Sequence, residues 1–215
     1  MDFKQVSESA MKGTTVVGVV CSDGIVLGAD SRATAGDFIA SDVSVKLQKI
    51  NDTTGILFAG VMGYAQYVVK VLKVQSELYS MTESKPMSPS AAASLLGFIL
   101  RESVSDMGYA ALVVGGLSSK GVPELFNLDP IGGTEKEAKY TSTGIGMASA
   151  LGYLDGVYAA GISTQEGVKH AAKALQLAMK RSSGTGGNMR IASITKKGFK
   201  EYSKEEVDKL VKAQA

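Results

Sequence analysis

Residues 13–30 read GTTVVGVVCSDGIVLGAD, and this stretch predicts the start of a β-rich fold. Two short runs of mostly β-branched and small residues, 14–21 and 24–29, flank a Ser-Asp-Gly sequence that favours a tight turn. We therefore expect a β-hairpin with its turn at residues 22–24. Residues 1–13, which precede the hairpin, are polar and aperiodic, and this is typical of a detachable leader.

The junction between Gly13 and Thr14 carries a specific chemical possibility. Cleavage after Gly13 would give Thr14 a free α-amine, and an amine that titrates near ~8 can take the proton of the threonine hydroxyl at neutral pH. One residue would then supply both the nucleophile and the base, as in N-terminal-threonine hydrolases. Taken in isolation, these residues are more simply explained as an ordinary strand start.

Composition excludes several classes of protein. With 215 residues, 45% of them hydrophobic, the chain can bury one sizeable core, and we expect a single domain over residues 14–215. The net charge of +2 arises from 23 basic and 21 acidic side chains spread along the sequence, so we expect no nucleic-acid partner. No apolar run approaches the ~18 residues that a membrane span requires, and we expect no membrane insertion.

Cysteine and histidine usage argues against metal and thiol chemistry. Cys21 is the only cysteine of the sequence and His170 the only histidine. Neither has a sequence neighbour suited to a zinc site or to a catalytic Ser-His or Cys-His pair. We expect no metal and no cofactor, with Cys21 as a small strand residue and His170 on a solvated helix face. A lone cysteine cannot form an internal disulfide and residues 1–6 lack a secretory signal, so the sequence predicts a cytoplasmic location.

Four helices are predicted in two pairs. Apolar residues at three- and four-residue spacing predict the first over residues 64–81, and Ser88 before Pro89 marks the start of the second, up to residue 100. A short helix is predicted over residues 147–153. The capping box formed by Ser163 and Glu166 predicts the start of a helix that runs through Arg181.

Strands are predicted on either side of these helix pairs, at residues 56–59, 109–117, 124–128, 140–143 and 190–195. A hairpin turn is expected at residues 196–198, and residues 204–215 are expected to form a surface helix or a frayed tail. Strands and helix pairs that alternate in this way favour two sheets, each covered by helices on its outer face. The predicted fold class is therefore α+β, as a four-layer αββα sandwich.

Several motifs of this chain occur together in one known family. They are the Gly-Thr-Thr start, the Asp-Gly turn, the segment ADSRAT at residues 29–34, Lys46, Ala59-Gly60, GIG at residues 144–146 and SGTGG at residues 183–187. On these residues the chain resembles the archaeal-like β-type subunits of the proteasome core particle, which are N-terminal-nucleophile hydrolases. The resemblance runs from Gly13 to about Phe199 and implies the same αββα fold.

The resemblance also implies roles for individual residues. Thr14 matches the nucleophile, exposed by cleavage between Gly13 and Thr14. Lys46 matches the lysine whose ammonium favours the alkoxide, and Asp30 matches its carboxylate partner. A surface ion pair, or none, is the alternative for these two charges.

Three further positions match the part of the site that receives the substrate. Gly60 matches the position whose backbone amide helps to stabilise the oxyanion, and Ala33 and Thr34 match the segment that lines the substrate cleft.

Two positions depart from the pattern of the active family members. Ile145 stands where a serine helps to orient the terminal amine, and Ser182 stands where an aspartate is found, while Thr185 keeps a hydroxyl at a supporting position. The loss of an orienting group for a general base can cost on the order of 10²–10⁴ in rate. Phe58, at the position that shapes the floor of the specificity pocket, would make that pocket shallow or closed.

The function implied is that of a 20S proteasome β subunit, a threonine endopeptidase that degrades unfolded proteins inside a closed chamber after autocatalytic removal of residues 1–13. An alternative is a catalytically impaired β paralogue with a structural or assembly role, and a more remote one is an amidase acting on small molecules. The implied partners are α-type subunits and other β subunits in seven-membered rings of a four-ring barrel, and a regulatory ATPase that acts through the α rings.

Overall fold

Two five-stranded antiparallel sheets face each other in the computed structural model, which describes residues 13–102 and 109–212. The first twelve residues of the expected leader and residues 213–215 of the expected tail lie outside the described residues. The strands are β1 (Thr15–Cys21), β2 (Gly24–Asp30), β3 (Ala33–Ala35), β4 (Phe38–Ser41), β5 (Leu47–Asn51), β6 (Thr54–Gly60), β7 (Ala110–Leu117), β8 (Pro123–Leu128), β9 (Thr134–Glu137), β10 (Tyr140–Gly144), β11 (Met189–Thr195) and β12 (Gly198–Glu201).

The first sheet is built around the predicted hairpin. Its strand order is β10-β1-β2-β11-β12, and Cys21 pairs with Gly24 at the β1–β2 turn. The second sheet has the order β5-β6-β7-β8-β9, and β3 and β4 form a separate two-stranded ribbon. Strand β1 therefore lies inside its sheet, with a partner along each edge.

Helices cover the outer face of each sheet. They are α1 (Met62–Glu83), α2 (Pro89–Glu102), α3 (Met147–Val157), α4 (Thr164–Arg181) and α5 (Lys204–Lys212). The predicted caps are present: Ser88 Oγ accepts from the Ala91 amide at 3.2 Å, and Ser163 and Glu166 form the reciprocal capping box. All four predicted helices are confirmed, and residues 204–212 of the expected tail are helical.

Three apolar clusters hold the layers together. One lies between α1, α2 and the second sheet and contains Phe58 and Leu96, and another lies between α3, α4 and the first sheet and contains Leu154 and Leu175. The third fills the space between the two sheets. The αββα sandwich predicted from the order of the elements is confirmed.

The strands that the sequence did not predict are short, with three to five residues each. They are β3, β4, β5, β9 and β12, and β9 reads TEKE with three exposed residues out of four. These strands lie at sheet edges or in the separate ribbon, where one side of the chain faces solvent and apolar alternation is weak. None of the helices within the described ranges is long and apolar enough to cross a membrane.

Candidate active site

Thr14 lies directly before β1, in a buried and strained position. Its relative exposure is 5%, and its backbone φ is +108°, a region that a β-branched residue rarely adopts. Its amide nitrogen donates to the Gly184 carbonyl at 3.0 Å, and its carbonyl accepts from the Ile145 amide at 2.9 Å. The backbone on both sides of the Thr14 side chain is thus fixed by the loops that follow α4 and β10.

The Asp30–Lys46 ion pair is present in the interior. Lys46 Nζ donates to Asp30 Oδ1 at 2.8 Å, and neither side chain is exposed to solvent. Lys46 Nζ also donates to the Arg32 carbonyl. The same Asp30 oxygen accepts from the Thr15 amide at 2.9 Å, which ties the ion pair to the residue after Thr14.

Burial dominates the electrostatics of this pair. It lowers the pKa of the Lys46 ammonium below its usual value because the charged form loses its water, while the Asp30 carboxylate opposes this shift and Arg32 adds to it. The Asp30 carboxylate therefore works against burial to keep the Lys46 side chain protonated.

Gly60 and the β3 segment both lie close to Gly13, Gly60 in the wall of the same cavity and Thr34 in direct contact. Gly60 has φ +133°, and a Cβ placed on it would lie 2.3 Å from the Tyr109 carbonyl oxygen, so only glycine fits here. A Cβ on Gly13 would lie 2.6 Å from Thr34 Oγ1, so Thr34 packs directly on the residue before Thr14. Ala33 lies in the same short strand, β3.

A chain of hydrogen-bonded hydroxyl groups starts at Thr15, the residue after Thr14. The Gly146 amide donates to Thr15 Oγ1 at 3.1 Å, Thr15 Oγ1 lies 2.8 Å from Thr185 Oγ1, and Thr185 Oγ1 donates to Ser182 Oγ at 3.3 Å. Thr15 and Thr185 are both almost completely buried. Thr185 and Ser182, predicted as supporting residues, are thus bonded to each other, and Thr185 joins them to Thr15, which the sequence analysis did not single out.

Ile145 and Phe58 are apolar and take no part in this chain of hydroxyl groups. Ile145 is 44% exposed, its backbone amide donates to the Thr14 carbonyl, and its Cγ2 would lie 3.4 Å from a Cβ placed on Gly184. Phe58 is 1% exposed and packs in the cluster under α1 and α2. A cavity of about 220 Å³ opens beside Gly13 and Gly60, and Phe58 is not part of its wall.

The structure adds residues that sequence reasoning missed. Thr15 contributes a backbone amide and a hydroxyl, Gly184 and Arg32 contribute carbonyls, and the Gly186 amide donates to Asp30 Oδ2 at 2.9 Å. Backbone groups leave no signature in a sequence. Thr15 had one signal, a polar side chain at the start of an otherwise apolar central strand.

Cys21 and His170 stand apart from this site. Burial, with help from Asp23 and Glu166, raises the pKa of the Cys21 thiol to about 12, so it remains protonated and unreactive at neutral pH. His170 is partly buried on α4, with Nδ1 3.1 Å from the Tyr153 hydroxyl oxygen, rather than on a fully solvated face. Within the described residues, no three His, Cys, Asp or Glu side chains are grouped to hold a metal ion.

Comparison with known proteins gives one consistent result. A family model described as "Proteasome subunit" matches residues 10–194. A "Proteasome subunit beta" of Methanocaldococcus vulcanius is 42% identical over 201 residues, which cover 94% of this chain and 90% of that protein. A protein of the same name from Methanothrix thermoacetophila is 40% identical over 204 residues, covering 95% of this chain and 98% of its own length.

Proposed function

Since the chain belongs to the proteasome family as a core β subunit, and β subunits of that family are threonine endopeptidases, we propose that Thr14 is the nucleophile of this one. Residues 1–13 are removed to free its α-amine. The observation that carries the proposal is the fully buried Asp30–Lys46 ion pair, bonded through Asp30 to the amide of Thr15. The loss of hydration costs a buried charge pair much of the free energy that its attraction contributes. Net stability therefore explains such a pair less well than a functional role does.

The reaction begins with attack of Thr14 Oγ1 on the carbonyl carbon of a peptide bond. The α-amine takes the hydroxyl proton, and the Lys46 ammonium stabilises the negative charge that develops on the oxygen. The oxyanion of the tetrahedral intermediate accepts a hydrogen bond from the Gly60 amide, while the substrate chain lies along Ala33 and Thr34.

Collapse of the intermediate breaks the peptide C–N bond. The α-ammonium gives its proton to the leaving nitrogen, and the acyl group remains as an ester on Thr14. A water molecule then loses a proton to the amine and attacks the ester, which releases the carboxylic acid and restores the hydroxyl.

Leader removal is an acyl shift within one chain, in which the Thr14 nitrogen is still an amide and cannot act as the base. Thr14 Oγ1 adds to the carbonyl carbon of Gly13, the bond to the Thr14 nitrogen breaks, and the hydroxyl proton ends on that nitrogen, which becomes the α-amine. A water molecule then hydrolyses the resulting ester and frees residues 1–13. Two features support this step: the positive φ of Thr14, a region disfavoured for a β-branched residue, stores strain in the uncut chain, and Thr34 and Gly184 hold the bond in place.

The proposed setting is the four-ring core particle in the cytoplasm, with β subunits in seven-membered rings stacked on α-type rings and a regulatory ATPase acting through those rings. Unfolded proteins are the proposed substrates. Large apolar side chains that remain exposed on the single chain support an assembled state, among them Phe38, Val43 and Met81 at 73%, 75% and 79%.

The experiment compares intact mass and peptidase activity of assembled particles that carry wild type, Thr14→Ala or Thr14→Ser as their sole β subunit. We expect wild type to lose residues 1–13 and to hydrolyse peptides, Thr14→Ala to keep the leader and be inactive, and Thr14→Ser to retain partial activity. A full-length, inactive wild type would instead indicate a β subunit with a structural role.

A further inference from the structure

We propose that Thr15 is a positioning residue, whose buried hydroxyl holds the segment carrying the Thr14 amine through a chain of uncharged hydrogen bonds. The proposal rests on the proposed role of Thr14 as nucleophile. It concerns a residue that follows the nucleophile and touches none of the reacting atoms.

The contacts of Thr15 connect two parts of the site. Its amide donates to Asp30 Oδ1 at 2.9 Å, the oxygen that also receives the Lys46 ammonium. Its hydroxyl oxygen lies 2.8 Å from Thr185 Oγ1. One residue with no exposed surface therefore joins the ion pair on one side of the nucleophile to the hydroxyl groups on the other.

The direction of the hydroxyl chain follows from its donors. The Gly146 amide donates to Thr15 Oγ1, and Thr185 Oγ1 uses its single proton toward Ser182 Oγ, so Thr15 is the donor in the bond between the two threonines. Thr185 then donates to Ser182 Oγ. The protons of Thr15 and Thr185 are thus both assigned, and Thr185 Oγ1 keeps one lone pair.

This chain of hydroxyl groups ends beside the Thr14 amine. Gly184, whose carbonyl accepts from the Thr14 nitrogen at 3.0 Å, directly precedes Thr185. A Cβ added to Gly146 would lie 2.3 Å from Thr15 Oγ1 and 3.1 Å from Thr185 Oγ1, so the Gly146 backbone packs directly on both hydroxyl groups. The chain of hydroxyl groups thus fixes the backbone at Gly184, whose carbonyl holds the Thr14 nitrogen. Ser182, at the end of this chain, supplies no negative charge.

The test measures kcat and KM of assembled, leader-free particles with Thr15→Val, which keeps the shape of the side chain and removes the hydroxyl. We expect kcat to fall about 10–100-fold with KM within about twofold, because a displaced base slows chemistry more than binding. Thr15→Ser, which restores the hydroxyl, should recover most of kcat. Thr54→Val is the matched control, since Thr54 is also completely buried and donates to the Met87 carbonyl away from this site.

Each outcome decides the proposal. A Thr15→Val kcat within twofold of wild type, or a Thr15→Ser kcat as low as that of Thr15→Val, overturns it while leaving Thr14 as nucleophile. If Thr15→Val does not assemble, Thr185→Val removes the same hydrogen bond from the other side, and a failure of both to assemble makes the pair structural and overturns the proposal. If wild type and Thr14→Ala are equally inactive, the proposed function fails as well.

Discussion

Asp30 is the residue on which most of the site depends, because its carboxylate serves four donors. Oδ1 accepts from Lys46 Nζ and the Thr15 amide, and Oδ2 accepts from the amides of Arg32 and Gly186 at 3.1 and 2.9 Å. All the strong acceptor positions of the two oxygens are therefore occupied. These four hydrogen bonds replace the water that the carboxylate loses on burial.

Asp30→Asn should destabilise the chain strongly. The substitution leaves the Lys46 ammonium buried without a counter-charge, and we expect a loss of about 3–5 kcal/mol in the free energy of unfolding. Urea denaturation of the full chain measures this loss. Asp52→Asn is the control, because Asp52 pairs with Lys49 at the surface with 79% of its side chain exposed, and an unchanged stability is expected there. Equal stability of both variants would contradict the buried pair.

Gly13→Ala should block removal of the leader. Its φ of +130° disfavours any side chain, and the new methyl group would lie 2.6 Å from Thr34 Oγ1. Relief of this contact must move the Gly13 carbonyl away from the Thr14 hydroxyl. We expect the cut to slow at least ~10-fold, because small misplacements of reacting atoms lower the rate strongly. A time course of intact mass measures the rate. Gly63→Ala, where a methyl group enters open space, should be processed like wild type.

At the scale of elements, α4 is positioned by close packing on the β1–β2 hairpin. A Cβ on Gly167 would lie 2.5 Å from Cys21 Sγ and 3.1 Å from Val26 Cγ2. The helix start is fixed as well, because Asp23 in the hairpin turn accepts from the Thr164 amide at 2.8 Å and from its hydroxyl at 2.9 Å. The loop that leaves this helix carries Ser182 to Gly187, so the packing of α4 sets the position of the hydroxyl chain.

Gly167→Ala should therefore destabilise the chain, although alanine favours helices by about 1 kcal/mol over glycine. Overpacking against the hairpin costs about 1–3 kcal/mol, and we expect this cost to exceed the helix gain. Thermal unfolding of the full chain gives the comparison. In Gly152→Ala, on α3, the methyl group meets open space, and this variant should be stabilised. A stabilised Gly167→Ala would show that the helix moves away without penalty.

How far the sequence predicts the elements depends on whether they are amphipathic or apolar. Helices α1, α2 and α4 each bury one face, so their spacing and caps reveal them, as at Ser163 and Glu166. Strand β5 reads LQKIN with one buried residue, and β12 reads GFKE with none, so neither shows a pattern distinct from a loop. Their positions come from pairing with β6 and β11, which is a property of the assembled sheet.

In the candidate site, the sequence predicts some residues and misses others for a similar reason. Side chains that carry charge or a nucleophile could be named from motifs, as with Thr14, Asp30 and Lys46, and the ion pair between the last two forms as expected. The groups that hold them are backbone atoms of residues far away in sequence, such as the carbonyl of Gly184 and the amide of Gly186. A glycine at these positions indicates that no side chain fits, since a Cβ on Gly184 or Gly186 would clash with Gly13 or Arg32, but it does not indicate which backbone atom is bonded.

At the scale of the whole molecule, glycines allow the two sheets to approach closely. A Cβ on Gly18 would lie 2.7 Å from Leu125 Cδ1, and a Cβ on Gly115 would lie 2.7 Å from Ile25 Cγ2. Each sheet thus has a gap into which a large side chain of the other sheet fits. The inner layers interlock, and the ends of β1, β2 and β6 that form the site are held in a fixed relation.

The pH dependence of stability should show a contribution from Cys21. Its folded pKa of about 12 exceeds the unfolded value of 9.0, so the unfolded chain releases the thiol proton first and the folded chain binds more protons between these values. The free energy of unfolding should therefore fall as pH rises from 9.0 toward 12, by at most about 1.4 kcal/mol per pH unit from this group. Urea unfolding at pH 8, 9 and 10 should give a shallower decline for Cys21→Ala; identical slopes would contradict the burial effect.

The interior position of β1 has a consequence for the end that cleavage would create. Thr15 pairs with Gly144, and Val16 pairs with Thr143 on one side and Ala29 on the other, so the chain is held from its second residue onward. Chain termini ordinarily fray, but this one would resist hydrogen exchange like the middle of a strand. The conformational entropy of the Thr14 backbone would then be lost once, when the protein folds, and would not have to be lost again in each catalytic cycle.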